Sequence, residues 1–262
     1  MQELVELGVS WVWMGLESPS ASYGKLQGAD IGQLTRELRE HGIRVQGSSI
    51  IGLEHHTPDN IAQEIEAATG YQTDFHQFML YTPVPGTPLY QEMADQGRLL
   101  ADVDFADIHG QYKFNFLHES ISRDDSKRFL DWAFWRDFER NGPSLYRMCR
   151  TMLQGWQRYK DYPDPRVRER FAREVKKLGS AYNAALWVME REFKRVNDSV
   201  SARIRNLRRD VEKEFPILAR LTAAFLGPIL LWSARREEHR LASGRTYEPP
   251  TFLERRNWSS AS

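Results

Sequence analysis

An α/β region followed by an all-α region is the fold class this sequence predicts: a partial (β/α) barrel with parallel strands, then a helical C-terminal part. Three observations predict it. The first hundred residues alternate helix-like and strand-like segments, the pattern of parallel strands joined by crossover helices. The remainder changes to long helical patterns rich in aromatics and arginine. Charge divides at the same place: residues 1–123 carry 7 basic and 17 acidic side chains, net −10, so residues 124–262 are net +10, although 36 Lys+Arg cancel 36 Asp+Glu in the whole chain.

Three strands are expected at 9–14, 44–51 and 75–81, each preceded by a helix with a glycine stop at Gly8, Gly42 or Gly70, where glycine adopts a left-handed C-cap at little cost. The helix from Asp30 to His41 has a capping aspartate and places Ile31, Leu34, Leu38 and His41 on one face. Thr57-Pro58 and Thr87-Pro88 each read as a cap followed by proline at the first helical position. After a loop over 102–122, helices are expected at 124–140, 144–161, 166–185 and onward, 196–214 and 217–242. The breaks fall at Asn141 to Pro143 and Pro163 to Pro165, and a kink is expected at Gly227-Pro228. The expected organisation is therefore 1–110 for the last three β/α units of a partial barrel, 111–243 for a helical extension and 244–262 for an extended tail.

The start of the chain has neither a basic flank nor an apolar core, so it is no secretory signal. It reads as the last turns of a helix, and the chain is expected to begin partway through a larger sheet or barrel, as a fragment. The single Cys149 excludes an internal disulfide and any all-cysteine metal site built by this chain alone, and a reducing cytoplasm is the expected compartment. Residues 221–232 form the most apolar stretch. It is shorter than the ~20 residues a membrane span needs, and Arg220 and Arg235 flank it, so a buried or interfacial helix is expected.

In parallel β/α folds ligands gather at the C-terminal strand ends. Those ends read Gly15-Leu-Glu-Ser18, then Ser48 to Thr57 with Ile50, Gly52, His55 and His56, then Tyr81-Thr-Pro-Val-Pro-Gly-Thr-Pro-Leu-Tyr90. Three such segments, in this order and at helix-plus-strand spacing, resemble the last three β/α units of radical S-adenosylmethionine (SAM) enzymes, especially those fused to a cobalamin-binding domain. The resemblance covers about residues 1–100.

The resemblance implies that SAM is a cofactor and assigns residues to it. Glu17 and Ser18 match positions that hydrogen-bond its ribose or methionyl end, with Glu17 alternatively a structural ion-pair carboxylate. Lys25 matches a basic residue that meets its carboxylate, or is a surface lysine. Ser48, Ile50 and Gly52 match the segment beside adenine, with Ser48 alternatively a plain strand residue. Tyr81, Thr82 and Pro83 match the sixth-strand end that flanks adenine, or form a rigid turn. A [4Fe-4S] cluster and cobalamin are implied for the family as well. The CxxxCxxC loop that binds the cluster is absent from this sequence, as is a cobalamin-binding sequence. The expectation is thus a SAM-positioning part, inactive alone, of an enzyme that performs a radical or methyl-transfer reaction on an unidentified small-molecule substrate. A separate polypeptide carrying the missing N-terminal half is a possible partner.

His55 and His56 lie in the loop beside the expected cavity, where substrate contact or proton transfer fits them. Adjacent histidines with no third ligand at zinc-like spacing do not predict a metal site. His76, His109 and His118 read as structural. The set Phe129, Trp132, Trp135 and Phe138, with Tyr146, Trp156 and Tyr159, reads as packing rather than a base-stacking platform. The basic run 203–209 and Arg235-Arg236 read as solvated faces, and nucleic acid is not the expected partner. The competing function is a cationic helical module that binds RNA, anionic lipid or a protein partner.

Overall fold

The computed structural model describes residues 1–17 and 30–244. Three strands, β1 (Trp11–Glu17), β2 (Arg44–Ile51) and β3 (Phe75–Leu80), form one parallel sheet in the order β1-β2-β3. A short helix α1 (Gln2–Glu6) leads in, α2 (Ile31–Glu40) and α3 (Ile61–Gly70) make the crossovers, and α4 (Pro88–Asp95) follows β3. The helical part comprises α5 (Arg123–Asn141), α6 (Ser144–Tyr159), α7 (Pro165–Lys177), a π-helical turn over Leu178–Tyr182, α8 (Asn183–Phe193), α9 (Asp198–Glu214) and α10 (Pro216–Ala242). The fold class is as the sequence predicts: α/β, then all-α.

Several boundaries differ, each for a local reason. β1 continues past Gly15 to Glu17, because a register shift between these residues lets Glu17 still pair with Ser49. Glu17 accordingly takes a φ of 51°, a left-handed conformation unusual outside glycine. Thr87 does cap α4, its hydroxyl accepting from the Tyr90 N–H, with Pro88 following. Thr57 does not open α3. Its N–H donates to the Asn60 side chain and its carbonyl accepts from the Asn60 N–H, closing a turn, and the helix starts at Ile61. Gly8 and Gly42 are left-handed stops as expected, but after α3 the left-handed residue is Gln72, φ 55°, not Gly70. The pattern expected as one helix from 166 is interrupted where Ser180 leaves helical geometry.

Alternation along the strands sorts the sheet into two faces. Leu16, Val45, Gly47, Ser49, Ile51, His76, Phe78 and Leu80 are turned toward the helices. Ile61 and Ile65 of α3, Leu130 and Ala133 of α5, and Phe114 and Phe116 complete that core. A second cluster joins Leu38 of α2 and Val45 to Tyr159 of α6 and Phe171 of α7, and a third fills the helical part around Cys149, Leu178, Ile204 and Val211. The opposite face carries Trp11, Trp13 and Phe75, each at least 39% exposed. Parallel sheets ordinarily have both faces covered, so an apolar open face is the unusual feature of this sheet.

Buried polar groups lock the helices to the sheet. Asp74, fully buried just before β3, accepts from the Val45 N–H at 2.9 Å and the Thr151 hydroxyl at 2.6 Å, and pairs with Arg39 Nε at 3.3 Å. Arg147 of α6 binds the Asp137 carboxylate of α5 through both terminal nitrogens and also donates to the Thr73 carbonyl. Between these pairs the α2–β2 turn approaches α6 so closely that a Cβ on Gly42 would stand 2.6 Å from the Gly155 Cα.

The aromatic set packs as expected, except that Trp135 is exposed. Of the two expectations for the apolar stretch, buried or interfacial, the first does not hold: α10 is largely exposed. It is held by a stripe of small residues, Ala219, Ala223 and Gly227, with Trp187 of α8 lying against Gly227, and it runs through Pro228. Its outer side presents Ile217, Leu221, Phe225, Ile229 and Trp232 to solvent. By length and composition it could cross a membrane.

Removing the Asp74 carboxylate strands the buried Arg39 guanidinium, so Asp74→Ala is expected to cost about 3 to 5 kcal/mol of unfolding free energy, against under ~0.5 kcal/mol for the exposed Asp59→Ala. Urea denaturation followed by circular dichroism measures both.

Candidate functional site

The open face of the sheet, at its C-terminal end, holds a cavity of about 470 Å³. Its floor is made by residues of the open face: Trp13 and Glu17 of β1, Ser48 and Ile50 of β2, Gln77 and Met79 of β3. Its wall is the segment after β3, with Tyr81, Thr82, Val84 and Leu89, closed by His109 and Gly110. The volume lies in the range of small-molecule and cofactor sites, and the mixture of apolar lining with a few polar groups is their usual chemistry.

Each polar group is positioned locally. The Ser48 hydroxyl accepts from Trp13 Nε1 at 3.3 Å, while the neighbouring Ser49, on the opposite face, bonds His76 beneath the sheet. The Tyr81 N–H donates to the Ile51 carbonyl, continuing the ladder beyond the last paired strand residue, and its ring meets Phe116 edge-on. Thr82 donates to the Leu80 carbonyl. Along the outer edge of β3 the Leu80 N–H is taken by the Gly110 carbonyl and the Phe78 carbonyl by Gln111, so the loop that brings His109 to the cavity also seals this edge. Gly110 is left-handed, φ 73°, and a Cβ there would meet Met79 Cε at 2.9 Å.

Of the residues the sequence nominates, Glu17, Ser48, Ile50, Tyr81 and Thr82 border this one cavity. Glu17 also borders a far smaller crevice toward α3, so it stands at the strand end between the two faces. Gly52 and Pro83 do not border the cavity. Gly52, φ 81°, leaves room for the Phe114 ring, which would lie 2.1 Å from an added Cβ, and the Pro83 carbonyl accepts from Asn115. Ser18 and Lys25 lie outside the described residues. Sequence reasoning missed Trp13, Gln77, Met79 and His109. The first three follow from strand alternation once Glu17 and Ser48 are placed on the open face; His109, contributed by a loop, had no such signal.

His55 and His56 do not border the cavity either. His56 is fully buried, and its Nδ1 accepts the N–H groups of Gly52 and Leu53 at 2.9 and 3.1 Å, pinning the turn after β2. Its Nε2 therefore carries the proton and faces Glu64 at 3.8 Å. His55, His56 and Glu64 present ligand atoms within 4.8 Å of one another. A cation could be held there only by displacing the Nε2 proton, since Nδ1 is already engaged by two backbone donors. His118 pins the adjoining loop in the same manner, its Nδ1 accepting from Ser120 and Ile121.

The residues present do not fit an iron–sulfur cluster. Cys149 is fully buried inside the helical core, where burial raises its thiol far above the ordinary range and keeps it protonated. The cavity does fit an adenosyl group: a serine hydroxyl and a carboxylate stand beside apolar and aromatic walls, which is what a ribose next to a purine requires.

No family model matches the chain. Over 82 residues, 31% of this chain, it is 32% identical to the anaerobic magnesium-protoporphyrin IX monomethyl ester cyclase of Cereibacter sphaeroides. Over 122 residues, 39% of the chain, it is 25% identical to the enzyme of the same name from Rubrivivax gelatinosus. The matched segments span 12% and 20% of those two proteins.

Two buried histidines give the molecule an acid limit. Burial, with His55 alongside, lowers His56 to about 4, and burial lowers His76 to about 4, its ring held between the Thr73 and Ser49 hydroxyls and stacked on Phe78. Both are neutral when folded but titrate near 6.5 when unfolded, so the unfolded chain binds more protons between these values. Stability is full above about 6.5 and is lost as pH falls through about 4, at up to about 1.4 kcal/mol per pH unit for each histidine. Urea titrations at stepped pH should show this slope, and His76→Gln should remove about half of it; an unaltered slope in that variant would assign the effect to other groups.

Proposed function

We propose that this chain supplies the SAM-positioning part of a cobalamin-linked radical SAM enzyme. The observation that carries the reading is the meeting of Glu17, Ser48, Ile50, Tyr81 and Thr82 around one cavity at the C-terminal ends of three parallel strands. The strand-end motifs and the partial similarity to the two cyclases support the family, and the uncovered sheet face is what the inner face of an incomplete barrel would look like. Within this reading Glu17 accepts from the ribose hydroxyls or the ammonium of SAM. Ser48, oriented by Trp13, hydrogen-bonds beside it, and Ile50, Met79 and Tyr81 exclude water from the purine. Bound SAM would bring the adenosyl or methyl group for radical or methyl-transfer chemistry. The cluster would have to come from residues other than Cys149, and no residue of this chain is assigned to cobalamin.

Calorimetric titration with SAM tests the assignment. Losing a charge-assisted hydrogen bond costs about 1.5 to 3 kcal/mol, so Glu17→Ala should weaken SAM binding roughly ten- to a hundredfold. An unchanged Kd in that variant would remove Glu17 from the site. In the same preparations, purified without oxygen, the chain should hold no stoichiometric iron.

A second reading is favoured by one observation, the outward face of α10: attachment of the helical part to an anionic membrane surface. Apolar side chains cover most of the helix circumference from Ile217 to Trp232, whereas a groove on a protein partner would need only one stripe. Trp232, with the Arg236 guanidinium 5.4 Å from its ring, and the exposed Arg220 and Arg235 supply the aromatic and cationic groups suited to a headgroup layer. Co-sedimentation with phosphatidylserine-containing vesicles should be lost at least tenfold in Phe225→Glu; equal binding by that variant would overturn the attachment.

A further inference from the structure

At the other end of the sheet from the cavity, beside the turn that enters β3, α2, α5, α6 and α9 enclose a cleft of about 220 Å³. Five arginines line it: Arg39, Arg140, Arg147, Arg150 and Arg203, with Gln72, Asn141 and Tyr146 completing the wall. Among the described residues no carboxylate lines the cleft.

Four of these five arginines are engaged in contacts within the fold. Arg39 is held by Asp74, Thr151 and the Gln72 carbonyl, and Arg147 by Asp137, Ser144 and the Thr73 carbonyl. Arg140 reaches Glu66 and Thr69, and Arg203 caps α5 by donating to the carbonyls of Glu139 and Arg140. Carbonyls satisfy donors but do not cancel charge. The Nε atoms of Arg147 and Arg203 are buried and find no acceptor. Arg150, on the rim, makes no hydrogen bond or ion pair to any described residue. Counting Arg136, which shares Glu66 and also pairs with Glu139, six guanidiniums face four carboxylates: Glu66, Asp74, Asp137 and Glu139. Among the described residues two of these positive charges have no carboxylate partner. Arg39 registers the excess: burial lowers its pKa, and Arg150 and Arg147 push in the same direction against Asp74.

We propose that this cleft binds the phosphate group of a small soluble phosphomonoester. A phosphate carries about −1.5 to −2 charge at neutral pH, which matches the excess, and guanidinium forks suit its oxygens. The remainder of the ligand has a place to lie. A groove of about 310 Å³ adjoins the cleft, shares Tyr146, Arg150 and Arg203 with it, and is lined further by Leu153, Leu207, the amides Gln154, Gln157 and Asn206, and the Asp210 carboxylate, which suits it to the uncharged hydroxyl-bearing part of the ligand while the phosphate stays in the cleft. Five donors around one concave cleft fit a single phosphate rather than the repeating charges of a nucleic-acid strand, which need an extended stripe.

The test uses the 262-residue chain and two probes, inorganic phosphate and a sugar phosphomonoester, titrated calorimetrically at constant ionic strength. Both should bind saturably at one site, the phosphomonoester more tightly, and both should raise the thermal midpoint of the chain. Arg150→Gln, on an exposed residue without a hydrogen bond or ion pair to the described residues, should fold normally by circular dichroism and weaken both ligands about tenfold. Arg209→Gln, an exposed arginine of α9 outside the cleft, should leave them unchanged. The proposal is overturned if neither probe saturates nor raises the midpoint, or if Arg150→Gln and Arg209→Gln lose affinity equally, which would mean general charge screening. Binding confined to phosphatidate vesicles and absent for the soluble probes would overturn it as well, placing the phosphate in a lipid headgroup. None of these readouts involves SAM, so the outcome is independent of the cavity on the open face.

Discussion

The Asp74 carboxylate is the constraint on which the rest of this structure depends. It sits where three elements meet: it takes a backbone donor from β2, a hydroxyl from α6 and a guanidinium from α2, and it does so at the very start of β3. Burial pushes its pKa up, and Arg39, Thr151 and the Val45 N–H oppose that push. A carboxylate in such a place is tolerable only while every partner is in position. The register of β2 against β3, the tilt of α2 and the seating of α6 are therefore one geometric problem rather than three.

The open face of the sheet follows from the same arrangement. The crossovers α2 and α3, and the later helices α5 and α6, all gather on the side where Asp74, Arg147 and the buried apolar strand residues lie. What remains on the other side is a pleated surface that carries Trp11, Trp13 and Phe75 toward the strand starts and a mixture of Glu17, Ser48, Ile50, Gln77 and Met79 toward the strand ends. The cavity occupies that second end, where Glu17 and Ser48 stand among aromatic and aliphatic neighbours.

The fold was legible in the sequence because its signals are local. Helix caps such as Asp30 and Thr87, left-handed stops such as Gly8 and Gly42, and the change from β/α alternation to helical periodicity each need only a few adjacent residues. Glu17, Ser48 and Tyr81 could be nominated because motifs at strand ends are short as well. Gly52 shows where such reasoning fails: a glycine that allows close approach looks the same whether its neighbour is a ligand or, as here, the ring of Phe114, sixty residues away in sequence. The arginine cleft was invisible for a related reason. Its members come from four helices spread between residues 39 and 203, and nothing in a linear reading distinguishes them from arginines on solvated faces. Whether α10 is buried or interfacial stayed open because apolar composition alone cannot say on which side of a helix its neighbours lie.

The contact between Gly42 and Gly155 sets a limit on how this molecule can be divided. Phe171 closes over the same point, and an added Cβ on either glycine would stand 2.6 Å from its ring. The strand-bearing part and the later helices thus interlock by shape, backbone against backbone, at a place where no side chain can act as an adjustable spacer. Expression of the first hundred residues alone would uncover that surface together with Val45 and Phe78, and would leave the Asp74–Arg39 pair without Thr151 and the cover of α6, so such a product should aggregate rather than fold. Any cut or permutation of the chain has to keep α6 and α7 on the sheet, which leaves exposed loop tips, such as the bend around Gly86, as the places where the backbone can be opened.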